Sequence, residues 1–254
     1  MPDSSPIRPT PVPAPPLRQP VVGILGGMGP DATVELMQRV IRATPARDDA
    51  DHIRMIVDNN PKVPSRIAAL IERTGDDPAP VIAAMARGLE TAGADFLVIA
   101  CNTAHHYLPS IRDAVSIPVV DMIGLTIARI HALGPTVRRI GVLASPAVRL
   151  TGLLEAPFGA AGLSVFYPEG AADAEVLRVI RAVKAGDLGE GQQRAYADAA
   201  ARLVAAGADA LLIACTELSA LGALPGPTPA IDTLDTLVRE ILDRCLVEAV
   251  AAAP

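Results

Sequence analysis

The chain has 254 residues, of which 22 are basic and 28 acidic, giving a formal net charge of -6 at pH 7. This balance argues against a nucleic-acid surface or an anionic membrane as the main partner. Half of the residues are hydrophobic but only 2% are aromatic, so the core must be built from Ala, Val, Leu and Ile, which suits strands covered by helices.

The cysteines indicate the redox compartment of the protein, and the proline-rich start indicates an unstructured tail. Three cysteines without Cys-x-x-Cys or Cys/His spacing predict neither a disulfide framework nor a zinc site, so we expect no metal and a reducing, cytoplasmic compartment. Residues 1–20 are rich in proline and lack the apolar core of a signal peptide, so they are predicted to be a disordered tail. Nothing reaches the length of a transmembrane segment.

From residue 21 onward, short β-branched runs alternate with longer segments of helical period, a pattern typical of βα units around a mainly parallel sheet. The first helix is predicted to follow Pro30, with Val34, Met37, Val40 and Ile41 on one face. The predicted strands are 21–25, 53–57, 95–100, 117–120, 138–143, 163–167, 208–213 and 229–231. The other predicted helices lie near 78–92, 121–133, 171–184, 190–206 and 233–250.

An internal repeat predicts the domain organisation. Residues 92–101 read AGADFLVIAC and residues 206–215 read AGADALLIAC, so eight of ten positions are identical. Two further pairs of segments correspond: GILGG at 23 with GVLAS at 141, and PVVD at 118 with PAID at 229. Since only two copies exist, we expect an α/β fold with two similar domains, related by a pseudo-two-fold axis, and the active site in the cleft between them.

The chain is expected to divide into two domains after residue 118. The first domain is predicted to comprise residues 21–118, completed by the C-terminal helix at 231–254. The second domain is predicted to comprise residues 119–230.

Cys101 and Cys215 end the two copies of the repeat, and both are followed by polar residues that favour a helix start. Because the carboxyl ends of parallel strands form the ligand crevice of open α/β sheets, both thiols are predicted to face that crevice. Helix N-termini favour thiolate, so a modest shift below the usual pKa of about 8.5 would leave one thiol ionised and the other protonated. This arrangement suits acid/base catalysis.

The same residues also have purely structural interpretations. An isolated Cys at the end of a core strand is more often a small buried hydrophobe. Cys245 has no polar turn after it and is predicted to be a helix residue without a catalytic role. The polar residues that follow the two repeat cysteines could act only as helix caps. They are Asn102, Thr103, Thr216 and Glu217.

Three segments together resemble the aspartate racemase branch of the aspartate/glutamate racemase superfamily, over about residues 21–250. They are GILGGMGP at 23–30, CNTAH at 101–105 and CTE at 215–217. The resemblance implies a pyridoxal-phosphate-independent isomerase without cofactor, which interconverts L- and D-amino acids and forms a homodimer. One thiolate, Cys101 or Cys215, would remove the α-proton while the other thiol donates one from the opposite face.

The resemblance also implies binding residues for a small amino-acid substrate. Arg66, in the segment NNPKVPSR that begins at Asn59, takes the position of a residue that binds a substrate carboxylate, and Lys184, in Val-Lys-Ala-Gly, that of the anchor for a second carboxylate. We expect the pocket to include Asn59 and Met28. Stabilisation of the carbanion requires donors aimed at its carboxylate, and the candidates are the N–H groups near Asn102, Thr103, Thr216 and Glu217.

Two positions depart from the branch pattern. Ser65 stands where the family usually carries Asp, and SPAV at 145–148 replaces a hydroxyl-rich Thr-Gly-Thr loop. Both changes argue against strict aspartate specificity and allow a different acidic amino acid or a larger, less polar one.

Two further features remain open at this point. His105 and His106 could assist Cys101 or could be surface or packing residues. Gly27 to Ala32 mimics a dinucleotide fingerprint, but Pro30 lies inside the turn, and the acidic residues near Asp48 follow a helix rather than ending a second strand as a ribose ligand should.

Other functions compete with the racemase. Within the superfamily, a maleate isomerase, hydantoin racemase or arylmalonate decarboxylase would share the fold. A non-catalytic amino-acid-binding protein would keep the cleft without α-proton exchange, and a dinucleotide-dependent enzyme would bind NAD.

Overall fold

The structure is a computed structural model that describes residues 19–250, apart from the side chains at 71 and 247–250. The predicted tail therefore lies almost entirely outside the described residues. So does the end of the C-terminal segment after residue 250.

The first half of the chain forms a three-stranded parallel sheet in the order β2-β1-β3. Helices lie between and after its strands, as the βα pattern predicts. The elements are β1 (Val22–Gly26), α1 (Pro30–Ala43), β2 (Met55–Asn59), α2 (Ala79–Thr91), β3 (Phe96–Ile99) and α3 (Leu108–Arg112). Short helical turns at Asp49–Asp51 and Ala68–Glu72 were not predicted, whereas the turn at Thr103–Tyr107 lies where a helix start was expected after Cys101.

The second half forms a four-stranded parallel sheet in the order β5-β4-β6-β7. Its helices before and between the strands are α4 (Met122–His131), α5 (Pro146–Leu150), α6 (Glu155–Ala160), α7 (Ala171–Lys184), α8 (Glu190–Ala205) and α9 (Thr216–Ser219). Its strands are β4 (Arg139–Ala144), β5 (Ser164–Phe166), β6 (Ala210–Ala214) and β7 (Ala230–Asp232), and α10 (Thr233–Val250) follows the last of them.

The predicted strand at 117–120 is wrong, because this segment makes only one parallel bridge, between Leu97 and Val119. The Leu97 N–H donates to the carbonyl of Pro118, and the Val120 N–H donates to the carbonyl of Leu97. The side chain of Asp121 then accepts hydrogen bonds from the first N–H groups of α4. The helix begins so soon after the bridge that no strand can develop.

The predicted face of α1 is also partly wrong. Val34 and Ile41 are 57% and 45% exposed, whereas Leu36 and Val40 are fully buried. The helix carries apolar residues over more than one face, so its sequence alone does not determine which face packs on the sheet. Contact with α10 and the first sheet selects Leu36 and Val40.

The repeat is visible in the packing of the two sheets. A Cβ on Gly23 would lie 2.6 Å from Leu97 Cδ2 and 2.9 Å from Ala94 Cβ. A Cβ on Gly141 would lie 3.1 Å from Ala208 Cβ and 3.2 Å from Leu211 Cδ2, the residues 114 positions later than those beside Gly23. In the first half β1 therefore passes close to the start of β3, and in the second half β4 passes close to the start of β6. Only glycine allows this close approach.

Helices cover both faces of each sheet, as buried parallel strands require. On the first sheet, Leu234, Leu237 and Ile241 of α10 pack with α1 against β1 and β3. On the second sheet, Ile130 of α4 packs with Phe158 of α6. We propose the predicted domain division on these contacts, with α10 completing the first domain. None of the helices in residues 19–250 has the length and apolar character needed to cross a membrane.

Candidate active site

A cavity of about 360 Å³ lies where loops after the strands of both sheets meet. The site residues predicted from sequence line it with one exception. Those that line it are Met28, Arg66, Cys101, Asn102, Thr103, Lys184, Cys215, Thr216 and Glu217. The exception is Asn59, which is exposed at the end of β2 and is not part of the cavity wall.

Gly27 explains part of the glycine-rich motif after β1. Its φ is +85°, and a Cβ at this position would overlap the backbone of Asn60. Only glycine adopts this conformation without steric cost and permits such a close approach. The loops after β1 and β2 can therefore meet at the cavity wall.

Cys101 lies two residues after β3 and is 9% exposed. Burial raises the pKa of its thiol, while the positive charge of Arg66 and the N–H groups of Ala104 and Thr103 lower it. The negative charge of Glu217 also raises it, to a smaller extent than Arg66 lowers it. The largest effect that opposes burial of this thiol is thus the charge of a cation.

Cys215 follows β6 directly and is 6% exposed. Its Sγ donates a hydrogen bond to Glu217 Oε2 at 3.0 Å. Burial raises the pKa of this thiol well above its usual value, and Glu217 raises it further by its charge and by accepting the hydrogen bond. The N–H of Glu217 and the charge of Lys184 oppose that shift.

The predicted downward shift of the thiol pKa is therefore wrong for both cysteines. Backbone N–H groups do act in the expected direction, but burial of the sulfur outweighs them. The two thiols nevertheless differ, because the largest charge effect on the pKa of Cys101 comes from Arg66, whereas that on the pKa of Cys215 comes from Glu217.

The guanidinium of Arg66 is fixed by two backbone carbonyls. One terminal nitrogen donates to the carbonyl of Met28 at 3.1 Å, and the other donates to that of Pro64 at 3.2 Å. Its Nε is buried and has no hydrogen-bond partner among the described residues. An unpaired buried donor is costly, so this atom is suited to bind an anion that enters the cavity.

Asn102 joins the two halves beside Cys101. Its Nδ2 donates to Thr233 Oγ1 at 3.0 Å, and the Thr233 hydroxyl donates to the carbonyl of Ile213 at 3.1 Å. The amide oxygen of Asn102 is buried and lacks a partner within the described part of the chain. It can accept a hydrogen bond from a ligand ammonium group.

The two histidines and the third cysteine lie away from the cavity wall. His105 is buried, and burial lowers its pKa. His106 is exposed and makes an edge contact with the ring of Tyr107. Cys245 is buried in the core of the first sheet, where its Sγ donates to the carbonyl of Pro20 and burial raises its pKa to about 11.

Sequence reasoning missed the apolar part of the wall. Val63, Ile67, Ala147 and Ile180 line the cavity together with its polar groups. Ile180 lies four residues before Lys184 on α7, so helical spacing could have found it. Ser65 and the 145–148 segment, the two departures from the branch pattern, also contribute to the wall through Ser65, Ser145 and Ala147.

The described residues contain no group of three or more His, Cys, Asp or Glu side chains placed to hold a metal ion. The polar groups of the cavity are thus two thiols, two cations, one carboxylate and amide and hydroxyl groups. That set can bind a carboxylate and an ammonium group and can move protons.

A family model described as Asp/Glu/Hydantoin racemase matches residues 25–241. The broad specificity amino-acid racemase RacX of Bacillus subtilis (strain 168) is 33% identical over 114 residues. That match covers 43% of this chain and 49% of RacX, so the similarity spans about half of that relative's length.

Solved structures of similar proteins share the fold over most of the chain. The aspartate racemase of Picrophilus torridus has a TM-score of 0.73 and 27% identity, covering 88% of this chain and 93% of that one. An aspartate racemase homologue from Pyrococcus horikoshii OT3 has a TM-score of 0.73 and 18% identity, covering 91% and 100%. The second likeness concerns the fold alone.

Proposed function

Because this chain belongs to the Asp/Glu/Hydantoin racemase family, we propose that it is a cofactor-independent amino-acid racemase that uses Cys101 and Cys215 as its two bases. The observation that carries the proposal is the pair of buried thiols at the ends of β3 and β6, which line one cavity. The largest charge effect on Cys101, from Arg66, lowers its pKa, whereas that on Cys215, from Glu217, raises its pKa. Two bases of unequal affinity suit removal of a proton from one face and donation to the other.

The chemical difficulty is the weak acidity of the amino acid α-hydrogen. The carbanion formed by proton removal spreads its charge onto the substrate carboxylate, which fixed donors must stabilise. Arg66 Nε, buried and unpartnered among the described residues, is the candidate for that carboxylate. The free amide oxygen of Asn102 is the candidate acceptor for the ammonium group, and Thr103 and Thr216 line the remaining polar wall.

The substrate class is an amino acid whose side chain extends between Lys184 and the apolar wall. A second carboxylate would pair with Lys184, as in an acidic amino acid, while Ile67 and Ile180 offer contacts to a less polar side chain. The names of the relatives fit both kinds of substrate, since one relative is a broad specificity racemase and another is an aspartate racemase. We therefore propose that more than one amino acid is turned over.

Proton NMR of α-deuterium exchange tests the proposal. L- and D-aspartate, glutamate and a panel of neutral amino acids are incubated with the wild type, Cys101→Ala and Cys215→Ala in deuterated solvent. We expect exchange with inversion in the wild type and loss of racemisation in each variant. Cys245→Ala is the matched control and should racemise at the wild-type rate, because Cys245 lies in the core of the first sheet.

Other outcomes lead to other functions. Absence of exchange for every amino acid rejects the amino-acid racemase, and turnover of maleate, a hydantoin or an arylmalonate then identifies the corresponding family activity. Saturable amino-acid binding without exchange indicates a binding protein. Equal racemisation by the wild type and either cysteine variant rejects the two-thiol mechanism.

We also propose that the protein is a homodimer, as implied by the resemblance to its family. Light scattering of the purified protein measures its mass against the 26.2 kDa of one chain. A mass of one chain across the assay concentrations contradicts this proposal and leaves the racemase proposal intact.

A further inference from the structure

A second cavity, of about 630 Å³, lies at the end of α9 that is remote from Cys215. It shares no lining residue with the cavity of the two cysteines. Residues between 222 and 230 form much of its wall, and polar side chains from α1, α8, α9, β7 and α10 contribute to the rest. These side chains, which define the Tyr196 cavity, are Arg39, Tyr196, Ser219, Asp232 and Asp235.

Three carboxylates share a single guanidinium at this cavity. Arg39 Nε donates to Glu35 Oε1 at 2.7 Å. Its Nη1 donates to Asp232 Oδ2 at 2.8 Å and to Asp235 Oδ1 at 2.7 Å. None of these carboxylates pairs with a second Lys, Arg or His within the described residues. Three negative charges thus surround one positive charge, and the excess attracts a further cation.

Asp232 has the most buried side chain of the three, at 13% exposed. Burial raises its pKa, although the charge and hydrogen bond of Arg39, the N–H of Leu234 and the hydroxyl of Ser219 lower it. The groups around Asp232 therefore do not fully offset the cost of burying its charge. A cation bound beside Asp232 would reduce that cost.

Tyr196 of α8 supplies an unpaired hydroxyl. The residue is 4% exposed, yet its hydroxyl makes no hydrogen bond with another described residue and is not enclosed by protein atoms. Burial raises the pKa of Tyr196, Asp232 and an ionised Cys215 raise it further, and the charge of Arg39 lowers it. Because Asp232 and Arg39 both line the cavity, the hydroxyl lies on the cavity side of the ring and can accept a hydrogen bond from a ligand.

The free polar groups of the Tyr196 cavity are mainly hydrogen-bond acceptors. Four of the five N–H donors of Arg39 are already used, since Nη2 also donates to the carbonyl of Ser219 at 2.7 Å. The wall segment 224–230 reads LPGPTPA, and its three prolines have carbonyl groups but no N–H. Such a wall disfavours an anion and favours a ligand that donates N–H groups.

We propose that the Tyr196 cavity binds a small aliphatic primary amine in its ammonium form. Its N–H groups are accepted by the Tyr196 hydroxyl and by Asp235 Oδ2, since only Oδ1 of Asp235 is paired with Arg39. Its alkyl chain contacts Leu224 and Pro227 of the wall. The described residues contain no group of His, Cys, Asp and Glu side chains placed to hold a metal ion, so the donors suit an organic cation better. The inference does not depend on the proposed racemase function.

Ser219 connects this cavity with the turn that carries Cys215. Its N–H donates to the carbonyl of Cys215 at 3.2 Å, and its hydroxyl donates to Asp232 Oδ1 at 2.8 Å. A ligand that offsets the charge of Asp232 therefore stabilises the turn from Cys215 to Ser219. Hydrogen exchange of the amides in this turn should slow when the ligand is bound.

Calorimetry with butylammonium chloride at low ionic strength tests the proposal. We expect one butylammonium ion per chain, with a Kd of about 1 mM or lower. Butan-1-ol lacks the charge and tetramethylammonium lacks N–H donors, so both should bind about tenfold more weakly or worse. Hydrogen exchange followed by mass spectrometry should show slower exchange at residues 215–219 and no change in the loop after Cys101.

Two variants remove single acceptors from the cavity. Tyr196→Phe keeps the ring, so the affinity should fall by about tenfold, the loss of one hydrogen bond to a charged group. The side chain of Asp235 is 67% exposed, so Asp235→Asn should weaken binding by only about threefold.

Tyr107→Phe and Asp243→Asn are the matched controls and should bind butylammonium as the wild type does. Tyr107 is a buried tyrosine whose hydroxyl also lacks a partner among the described residues. Asp243 is an exposed aspartate of α10. Neither residue lines the Tyr196 cavity.

Arg39→Met is a variant that should gain affinity. It removes the one cation that pairs with the three carboxylates in the described part of the chain. Butylammonium should then bind about threefold more tightly or better, as removal of one nearby unit charge predicts. A gain of affinity cannot result from misfolding.

Four results would overturn the inference. They are no binding of butylammonium to the wild type, equally tight binding of tetramethylammonium, unchanged affinity in both Tyr196→Phe and Asp235→Asn, and slower hydrogen exchange only in the loop after Cys101. None of them bears on the racemase proposal, which deuterium exchange of amino acids tests separately.

Discussion

His105 holds the Cys101 loop by a contact between its Nδ1 and the carbonyl oxygen of Cys101, 2.9 Å apart. On the other side of the ring, Nε2 accepts a hydrogen bond from the N–H of Met122 at 3.3 Å. Since Nε2 is the acceptor, Nδ1 carries the proton and donates it to Cys101, which defines a neutral tautomer. The ring thus ties the loop after β3 to the start of α4.

This contact predicts a pH dependence of stability. Burial lowers the pKa of His105, while the unfolded chain returns it to about 6.5. Below that pH the unfolded state binds more protons, so the free energy of unfolding falls as pH decreases. We expect His105→Gln to flatten this slope between about pH 6.5 and pH 5, as measured by urea titrations. His106→Gln, at an exposed neighbour, should keep the wild-type slope; an equal slope in the His105 variant would contradict the assignment.

Arg39 of α1 is predicted to stabilise the contact between the halves. It donates to Asp232 Oδ2 at 2.8 Å and to the carbonyl of Ser219, in α9, at 2.7 Å. The side chains of Arg39 and Asp232 are 17% and 13% exposed. Arg39→Met leaves a largely buried carboxylate without its cation, so we expect a loss of about 2 kcal/mol or more in the free energy of unfolding.

The control for Arg39 is an exposed ion pair. Arg178→Met removes the partner of Glu175 on the surface of α7 and should cost less than about 1 kcal/mol. Urea denaturation of the two variants gives the comparison. Equal losses in the free energy of unfolding would show that the ion pair of Arg39 stabilises the protein no more than an exposed pair does.

Gly23 and Gly141 are predicted to be intolerant of alanine, because a Cβ would lie within 2.9 Å of a neighbouring side-chain atom at each position. Overpacking of this kind costs about 1–3 kcal/mol, so both variants should unfold at lower denaturant. Gly88→Ala is the control, since a Cβ there meets nothing within 4 Å and Gly88 lies inside α2. That variant should be unchanged or more stable by up to about 1 kcal/mol.

Arg66 is predicted to set the ionisation of Cys101, because its charge lowers the pKa that burial raises. In Arg66→Met the thiolate should form only at higher pH, and Arg66→Lys should restore part of the difference. The rate of Cys101 alkylation by iodoacetamide against pH, followed by peptide mass, measures this directly. Overlapping profiles for the wild type and Arg66→Met would refute the assignment.

Arg66→Met should also weaken substrate binding if the proposed function holds. Loss of a hydrogen bond to a charged group costs about 1.5–3 kcal/mol, so we expect KM to rise by about tenfold to a hundredfold. An unchanged KM would show that Arg66 does not bind the substrate carboxylate. The effect of Arg66 on Cys101 would still be tested by alkylation.

The strands could be predicted where the sequence pattern is local and occurs in both halves of the chain. The AGAD…IAC repeat predicts two buried strands with a thiol after each, and β3 and β6 confirm both strands. The segment at 117–120 has the same β-branched character but forms one bridge, because Asp121 starts α4 immediately. On α1, the choice between Val34 and Leu36 as the buried residue depends on α10, which lies far away in the sequence.

The composition of the site was predicted better than its electrostatics. All predicted site residues except Asn59 line the cavity. Most of them lie in segments that follow a strand, and the carboxyl ends of the strands face the same side, whereas Lys184 lies at the end of α7. The direction of the thiol pKa shift was wrong, because helix N–H groups can be read from the sequence whereas the depth of burial cannot.

The sequence by itself determined the two parallel sheets, the equivalent positions of Cys101 and Cys215 and the motifs that carry the family resemblance. These features depend on residue period and on neighbours along the chain. Only the tertiary structure decided that the charge of Arg66 acts on Cys101, that Lys184 and Cys215 share Glu217, and that both thiols are buried. Charge interactions and desolvation depend on distances between segments remote in sequence, and folding alone sets those distances.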